Sequence, residues 1–306
     1  MSHNGSVLKF VVIGMGAMGQ KHLKALNSIE GVEVVGIVEP LGYKSNFCPT
    51  YLNVEELLQR QDFNCAVIAT PTSTHAKIAA PLIKNNKHIL IEKPLTKNMN
   101  DAQYIKSLSL KSDSKIAVGY IERFNPAVQS FIKNVKGEKI ISCEAKRVGP
   151  YPSRITDVGV RLDLSVHDVD LIRFLTNDKV VLSNRVDNNV SKINSNEDNT
   201  VLFLQMEQGA TATVNCSWLY PFRERMLKIL TDKSFYEVDL YNSSVSKYTS
   251  HEGNSYIKEN LWIQREDSLI KQLKEFIKYV TINQIKHLAT LDDGIKSLQI
   301  VLGEIE

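Results

Sequence analysis

Over the first 120 residues, apolar positions fall in short runs rich in valine and isoleucine, separated by stretches where they recur every three or four residues. Strands buried on both faces lose the in-out alternation, so this pattern predicts a parallel sheet covered by helices. The runs place strands at Lys9–Ile13, Glu33–Val38, Cys65–Ala69, His88–Ile91 and Lys115–Tyr120. Helices are predicted over Ala17–Ser28, Val54–Arg60, His75–Asn86 and Met99–Lys111, the third containing Pro81, which can kink it. Between Glu39 and Val54 the helical pattern fails, with Gly42 and Pro49 as breakers, so one crossover is expected to lack its helix.

A further helical run opens at Asn125 and Pro126, and the texture then changes to longer strand-like stretches between polar turns. Lys139–Val148, Val180–Val190, Thr200–Glu207, Ala210–Leu219, Arg225–Thr231 and Phe235–Leu240 predict a largely antiparallel sheet, with helices near Leu162–Leu175 and Glu266–Thr281. The polar stretch Asp187–Asn199 reads as a solvated turn or loop. A boundary near residue 122 gives an α/β chain in which residues 1–122 form a doubly wound parallel sheet of the Rossmann type and residues 123–306 an α+β substrate domain.

Composition narrows the class. The 306 residues, 43% apolar and 23% charged, suffice to bury roughly three quarters of the unfolded surface, so no disulfide or metal is needed to hold the fold. The 37 Lys plus Arg against 34 Asp plus Glu leave a net charge of +3 with neither half strongly basic, and nucleic acid is not expected as a partner. Cys48, Cys65, Cys143 and Cys216 are scattered without a CxxC pair, the pattern of small buried residues rather than of a zinc site or a disulfide framework. The opening residues lack an apolar core of signal-peptide length, and no run approaches the roughly 18 apolar residues that cross a bilayer. A cytoplasmic protein without a membrane partner is expected.

Chemistry enters at the first strand end. Lys9–Ile13 runs into Gly14, Met15, Gly16, Ala17, Met18 and Gly19 and then a helical pattern, the context in which GxGxxG binds a dinucleotide. Its glycines let the backbone approach a pyrophosphate at a helix N-terminus. Glu39 follows Gly19 by 20 positions, where a carboxylate can accept both ribose hydroxyls and repel a 2′-phosphate, favouring NAD over NADP; a solvated loop glutamate is the alternative. Two later strand ends carry Ala69-Thr70-Pro71-Thr72-Ser73-Thr74-His75 and Glu92-Lys93-Pro94. The hydroxyls of the first can hold ribose and phosphate, or Ser73 and Thr74 can simply cap a helix. Lys93, set between a carboxylate and a proline, reads either as a positioned catalytic cation or as a surface charge, and its bond to Pro94 is a candidate cis peptide. In the second domain Asp163 and His167 are four apart on a predicted helix and share a face, beside an apolar stripe of Leu162, Val166, Val169 and Ile172. The carboxylate can orient the imidazole for acid–base work, or the histidine can be structural; no HisxxxHis pair is present, and no metal is expected.

Together GMGAMG at Gly14–Gly19, ATPTSTH at Ala69–His75, EKP at Glu92–Pro94 and DLSVHDVDL at Asp163–Leu171 resemble the glucose-fructose oxidoreductase, inositol dehydrogenase and MocA family. The resemblance implies a Rossmann domain followed by a domain with a large open sheet that commonly forms dimers or tetramers. It also implies that Lys93, Asp163 and His167 act around the reacting carbinol, and that Thr70, Pro71, Thr72, His75 and Glu92 join the glycine loop and Glu39 on the cofactor side. GYIERFNPAV (Gly119–Val128) and AKRVGPYPSRITDVG (Ala145–Gly159) look like the branch containing UDP-N-acetylglucosamine 3-dehydrogenases. That likeness adds Asn125 to the substrate side, and Arg147, Arg154 and Arg161 stand where guanidinium forks can bind a diphosphate; exposed arginines are the alternative. Two departures are the missing crossover helix after Glu39 and the run Asp157–Arg161, which lacks the family's cluster of glycines.

The expected activity is NAD-dependent oxidation of a secondary hydroxyl on a sugar or nucleotide sugar, UDP-N-acetylglucosamine at C3 first. His167 is the leading base, Lys93 stabilises the developing alkoxide, and Asp163 orients the hydroxyl or the imidazole. A free cyclitol or aldose dehydrogenase, a non-catalytic NAD-binding regulator and an NAD-dependent glycosidase are the alternatives on the same fold.

Overall fold

A computed structural model of the chain describes residues 7–305 except 153, 154, 156 and 194. The chain divides into two compact units: one runs to Tyr120 and takes back Leu269–Ile295, the other comprises Ile121–Ser268 and the residues from Lys296 onward.

The first unit starts with β1 (Leu8–Ile13), α1 (Ala17–Leu26), β2 (Val32–Val38), β3 (Thr50–Tyr51) and α2 (Val54–Arg60). It continues with β4 (Cys65–Ile68), α3 (His75–Lys84), β5 (His88–Glu92), α4 (Met99–Ser109) and β6 (Ile116–Gly119). Phe10–Ile13, Cys65–Ile68 and Ile89–Ile91 are buried on both faces, as their unbroken apolar runs require. No helix forms between β2 and β3, in line with the breakers there, and β3 is too short for the sequence pattern to announce.

In the second unit α5 (Pro126–Asn134) precedes β7 (Ile140–Pro150); a π turn at Arg161–Ser165 then leads into α6 (Val166–Thr176). There follow β8 (Val180–Asn188), β9 (Asn199–Met206), β10 (Thr211–Ser217), β11 (Leu219–Thr231), β12 (Ser234–Asp239), β13 (Ser244–His251) and β14 (Ser255–Asn260). They make an eight-stranded sheet in the order β14-β13-β12-β11-β7-β10-β9-β8. Its pairings are antiparallel except the parallel neighbours β7 and β10. β13 and β14 escape the apolar pattern because the outer strand is exposed along its whole length.

The chain then returns to the first unit with α7 (Ser268–Ile282), β15 (Ala289–Thr290) and the start of α8 (Leu291–Leu302). β15 pairs antiparallel with β6, completing a sheet in the order β15-β6-β5-β4-β1-β2-β3 whose other strands are parallel. Leu269, Leu273 and Phe276 make the buried stripe of α7; Phe276 meets the Phe10 ring edge-on with centroids 6.2 Å apart, and Lys115 Nζ donates to the carbonyls of Tyr279 and Val280. The two contact units part at Tyr120/Ile121, and Leu269–Ile295, which the sequence pattern assigns to the second domain, pack with the first unit. An amphipathic stripe shows that a helix covers a sheet, not which sheet it covers. No described helix is long and apolar enough to cross a membrane.

Candidate active site

The turn after β1 is built as a dinucleotide cradle. Gly14 adopts φ +89°, and a Cβ there would lie 2.7 Å from both the Ala69 carbonyl oxygen and Thr70 Cγ2. A Cβ on Gly19 would lie 1.8 Å from the Gly14 carbonyl oxygen, so α1 packs on the turn at a distance only glycine permits. Gly16, the N-cap of α1, has open space where a Cβ would stand and no side chain to satisfy the helix's first N–H groups. An open, uncapped helix N-terminus of this kind suits an anion, with the backbone of Met15, Ala17 and Met18 beside it. Glu39 is not a wandering loop residue: its Oε2 accepts the Met15 amide at 2.8 Å and its Oε1 the Leu41 amide at 3.2 Å. The structure thus brings the carboxylate and the glycine turn together, an arrangement that suits NAD.

Two buried histidines brace this cradle to the other strand ends. His75 sets Nε2 3.0 Å from the Thr70 carbonyl oxygen and Nδ1 3.1 and 3.2 Å from those of Pro94 and Leu95. Burial lowers its pKa, against the opposing pull of those carbonyls. His75 is 1% exposed, so the cofactor contact expected of it gives way to a bracing role between backbone segments. His22, which motif and spacing do not single out, sits on the buried face of α1 with Nε2 2.6 Å from Glu92 Oε1. Glu92 is accordingly committed to α1 and to the Lys93 amide, whose N–H reaches its Oε2 at 3.3 Å, rather than presented to a ligand. The signal that could have found His22 is a histidine among Gly19, Leu23 and Leu26 on the apolar side of a helix. Thr70 and Thr72 line the turn beside Gly14 and the short 3-10 segment Thr72–Thr74, with the Thr74 hydroxyl donating to Thr70 Oγ1 and the Pro71 carbonyl. Lys93 is half-buried at the end of β5, and its bond to Pro94 is cis.

In the second unit, Asp163 lies in the π turn and His167 in the first turn of α6, each 8% exposed. The Val166 amide reaches the Arg161 carbonyl, the i to i+5 bond that widens the helix at this point. Beneath α6 runs an ionic network. Asp168 takes Nε and Nη2 of Arg147, whose Nη1 donates to Glu122 at 2.8 Å; Asp170 takes Nε and Nη2 of Arg123. Burial pushes Glu122 up, but Arg147 and then Arg225 outweigh it and hold the carboxyl below its usual range.

These contacts overturn part of the expected substrate set. Arg147 is buried with its guanidinium divided between two carboxylates, so it has no fork to offer a diphosphate. Asn125 caps α5 through the Ala127 amide and donates to Glu122 and the Leu240 carbonyl. Arg161 pairs with Asp187 at 2.8 Å, and Arg154 lies outside the described residues. The polar stretch is largely exposed, as a solvated loop is expected to be, but its last residues fold onto the start of the π turn. Glu197 accepts the Val160 amide on its carbonyl and the Arg161 amide on Oε1, and buried Asp198 gathers the amides of Val190 and Ser191. A Cβ on Gly159 would stand 2.3 Å from the Glu197 carboxylate, which would have to move away from the Arg161 amide to admit it.

Residues 8–120 match the model of an oxidoreductase family with an NAD-binding Rossmann fold, the Gfo/Idh/MocA family, and residues 140–237 match that family's C-terminal domain. The chain belongs to the Gfo/Idh/MocA family: it is an NAD-dependent oxidoreductase. It is 24% identical to UDP-N-acetylglucosamine 3-dehydrogenase of Acidithiobacillus ferrooxidans, over 96% of this chain and 94% of that one. With myo-inositol 2-dehydrogenase of Thermotoga maritima it shares 23% identity over 89% and 88%. The solved structure of the Acidithiobacillus enzyme superposes with a TM-score of 0.86 at 22% identity, covering 97% of this chain and 96% of that one. GenD2 from gentamicin A biosynthesis, solved in complex with NAD, superposes at 0.81 with 20% identity, covering 98% and 94%.

Proposed function

We propose that this chain oxidises a secondary ring hydroxyl of a sugar or nucleotide sugar to a ketone, with UDP-N-acetylglucosamine, oxidised at C3, as the first substrate to test. The observation that carries this reading is Lys93 half-buried at a strand end whose Glu92 is tied by His22 to the helix opening at the dinucleotide turn. When bound, NAD accepts the hydride that leaves the carbinol carbon. An imidazole nitrogen of His167 takes the hydroxyl proton, Asp163 orients the imidazole or the hydroxyl, and the Lys93 ammonium stabilises the negative charge that builds on oxygen. The Glu39 carboxylate accepts the adenosine ribose hydroxyls, and the α1 N-terminus binds the pyrophosphate. Likeness to the Acidithiobacillus enzyme along nearly the whole chain supports the nucleotide sugar.

The internal pairing of Arg147 and Arg161 supports a second reading, an uncharged cyclitol or aldose on the same machinery. Absorbance of reduced nicotinamide is followed on mixing protein and NAD with UDP-N-acetylglucosamine, UDP-glucose, glucose or myo-inositol, with a 2-oxo acid present to recycle trapped cofactor. Reduction with the UDP sugar alone selects the first reading, reduction with a free polyol alone the second. Lys93→Ala and His167→Ala are each expected to lower kcat about 100-fold or more with NAD affinity little changed; equal losses of both would sink the assignment. We also propose that copies associate through the face of the eight-stranded sheet that exposes Leu182, Val186 and Phe203.

A further inference from the structure

His22 and Glu92 are a polar pair in a place that packing alone does not call for. His22 is fully buried on α1, and its Nε2 lies 2.6 Å from Glu92 Oε1. An apolar pair of similar volume would fill this space without withdrawing a carboxylate from water, and buried pairs of this kind seldom add net stability. What the pair does fix is direction. β5 ends at Glu92, whose last ladder partner is Gly119, so no strand pairing guides the chain beyond it. The Glu92 carboxylate guides it instead, since Oε2 accepts the Lys93 amide while Oε1 is held by His22. Gly119 is pressed against the same carboxylate, and a Cβ there would lie 3.0 Å from Oε2.

We propose that His22 is a positioning residue for Lys93, acting through Glu92 to couple the helix that opens at the dinucleotide turn to the strand end that carries the lysine. The proposal rests on Lys93 being the cation that stabilises the alkoxide. A misplacement of about 1 Å at such a group costs up to about 100-fold in rate. His22 itself touches neither substrate nor cofactor in this role; it selects the Glu92 rotamer, and that rotamer sets the path of the Lys93 backbone.

The test compares His22→Leu, His22→Gln, Glu92→Gln and Lys93→Ala with the wild-type protein. Three quantities are read: NADH affinity by fluorescence, the rate of Lys93 acetylation by an N-hydroxysuccinimide ester resolved by peptide mass spectrometry, and kcat and KM with the sugar that turns over. In His22→Leu, Lys93 is expected to acetylate about threefold faster or more and kcat to fall about tenfold, with KM and NADH affinity within about threefold of wild type. His22→Gln keeps an N–H toward Glu92 and should recover most of both changes. Unchanged acetylation and kcat in His22→Leu, with Lys93→Ala inactive, would overturn the coupling and leave the lysine's assignment standing. Full turnover by Lys93→Ala would overturn both. A loss of NADH affinity that matches the loss of kcat would place His22 with the dinucleotide turn and likewise overturn the proposal. If His22→Leu does not fold, Glu92→Gln decides: it keeps the volume, and native acetylation of Lys93 in it overturns the coupling.

Discussion

Glu39 follows β2 directly, with its carboxylate held by the amides of Met15 and Leu41, beside the glycine turn rather than at the end of a free stem. Two ribose hydroxyls brought there meet two acceptors, whereas a 2′-phosphate meets a fixed negative charge. Glu39→Ser is therefore expected to raise kcat/KM with NADP relative to NAD by about tenfold. Initial rates with both cofactors decide it, and an unchanged ratio removes the carboxylate from the ribose. At this scale the sequence is legible where chemistry and geometry demand one residue type. Gly14 and Gly19 are irreplaceable by sterics and Glu39 stands at a fixed spacing, so the motif alone finds all three. Histidines are not legible in the same way. His75 and His22 each carry a ring that could face a ligand, and only the fold shows that both face their own chain.

At the scale of elements, α6 carries the proposed base on its first turn, and that turn is held from beneath by Arg147 on Asp168 and by Arg123 on Asp170. Alternating acids inside an apolar helix are visible in the sequence, but their partners at residues 122, 123 and 147 are distant along the chain. From its likeness and its place ahead of the helix, Arg147 reads as a ligand for a diphosphate or as a solvated charge, and the fold gives it to two carboxylates instead. The strands are readable where burial enforces apolar runs, as in β1, β4 and β5; β13 and β14 are not, because β14 is an edge strand exposed along its length and β13 beside it is only partly covered. The network has a pH signature. Glu122 holds its proton less tightly folded than unfolded, so its contribution to stability is complete above the ordinary carboxylate pKa, about 4.3. It is lost as pH falls through that value toward the depressed one. Glu122→Gln leaves Arg147 short of a counter-charge and is expected to lower stability at neutral pH by about 3–5 kcal/mol. It should also flatten the loss of Tm on acidification below the ordinary carboxylate range, which thermal unfolding followed from neutral pH to about pH 2.5 would show; parallel wild-type and variant curves would mean that Glu122 is not responsible.

At the scale of the whole chain, one face of the second sheet exposes large apolar side chains, and the register shows which of them share it. Leu182 and Val186 on β8 point the same way as Phe203 on β9, because their directly opposed partners are Gln205, Val201 and Asn184. Further across, Leu230, Phe235 and Tyr248 are linked by successive pairings on that face, and the Phe235 and Tyr248 rings meet at 5.7 Å, as do those of Tyr248 and Tyr256. Val186 is 58% and Phe203 49% exposed, more apolar surface than isolated exposed residues would present. Between the two apolar ends lie Thr213, Glu144 and Lys228, paired in register across β10, β7 and β11, with Lys146 two residues along β7. A face that is apolar at both ends and charged in the middle is suited to a two-fold partner, where each charge can meet its opposite on the other copy. Phe203→Glu places a carboxylate in the apolar end of a sheet in the second unit, away from the glycine turn along the chain. It is expected to convert a dimer or tetramer to a smaller species in sedimentation velocity while NADH affinity stays within about twofold. A wild-type protein already monomeric at micromolar concentration, or a variant that sediments unchanged, would mean that this face is not where the copies meet.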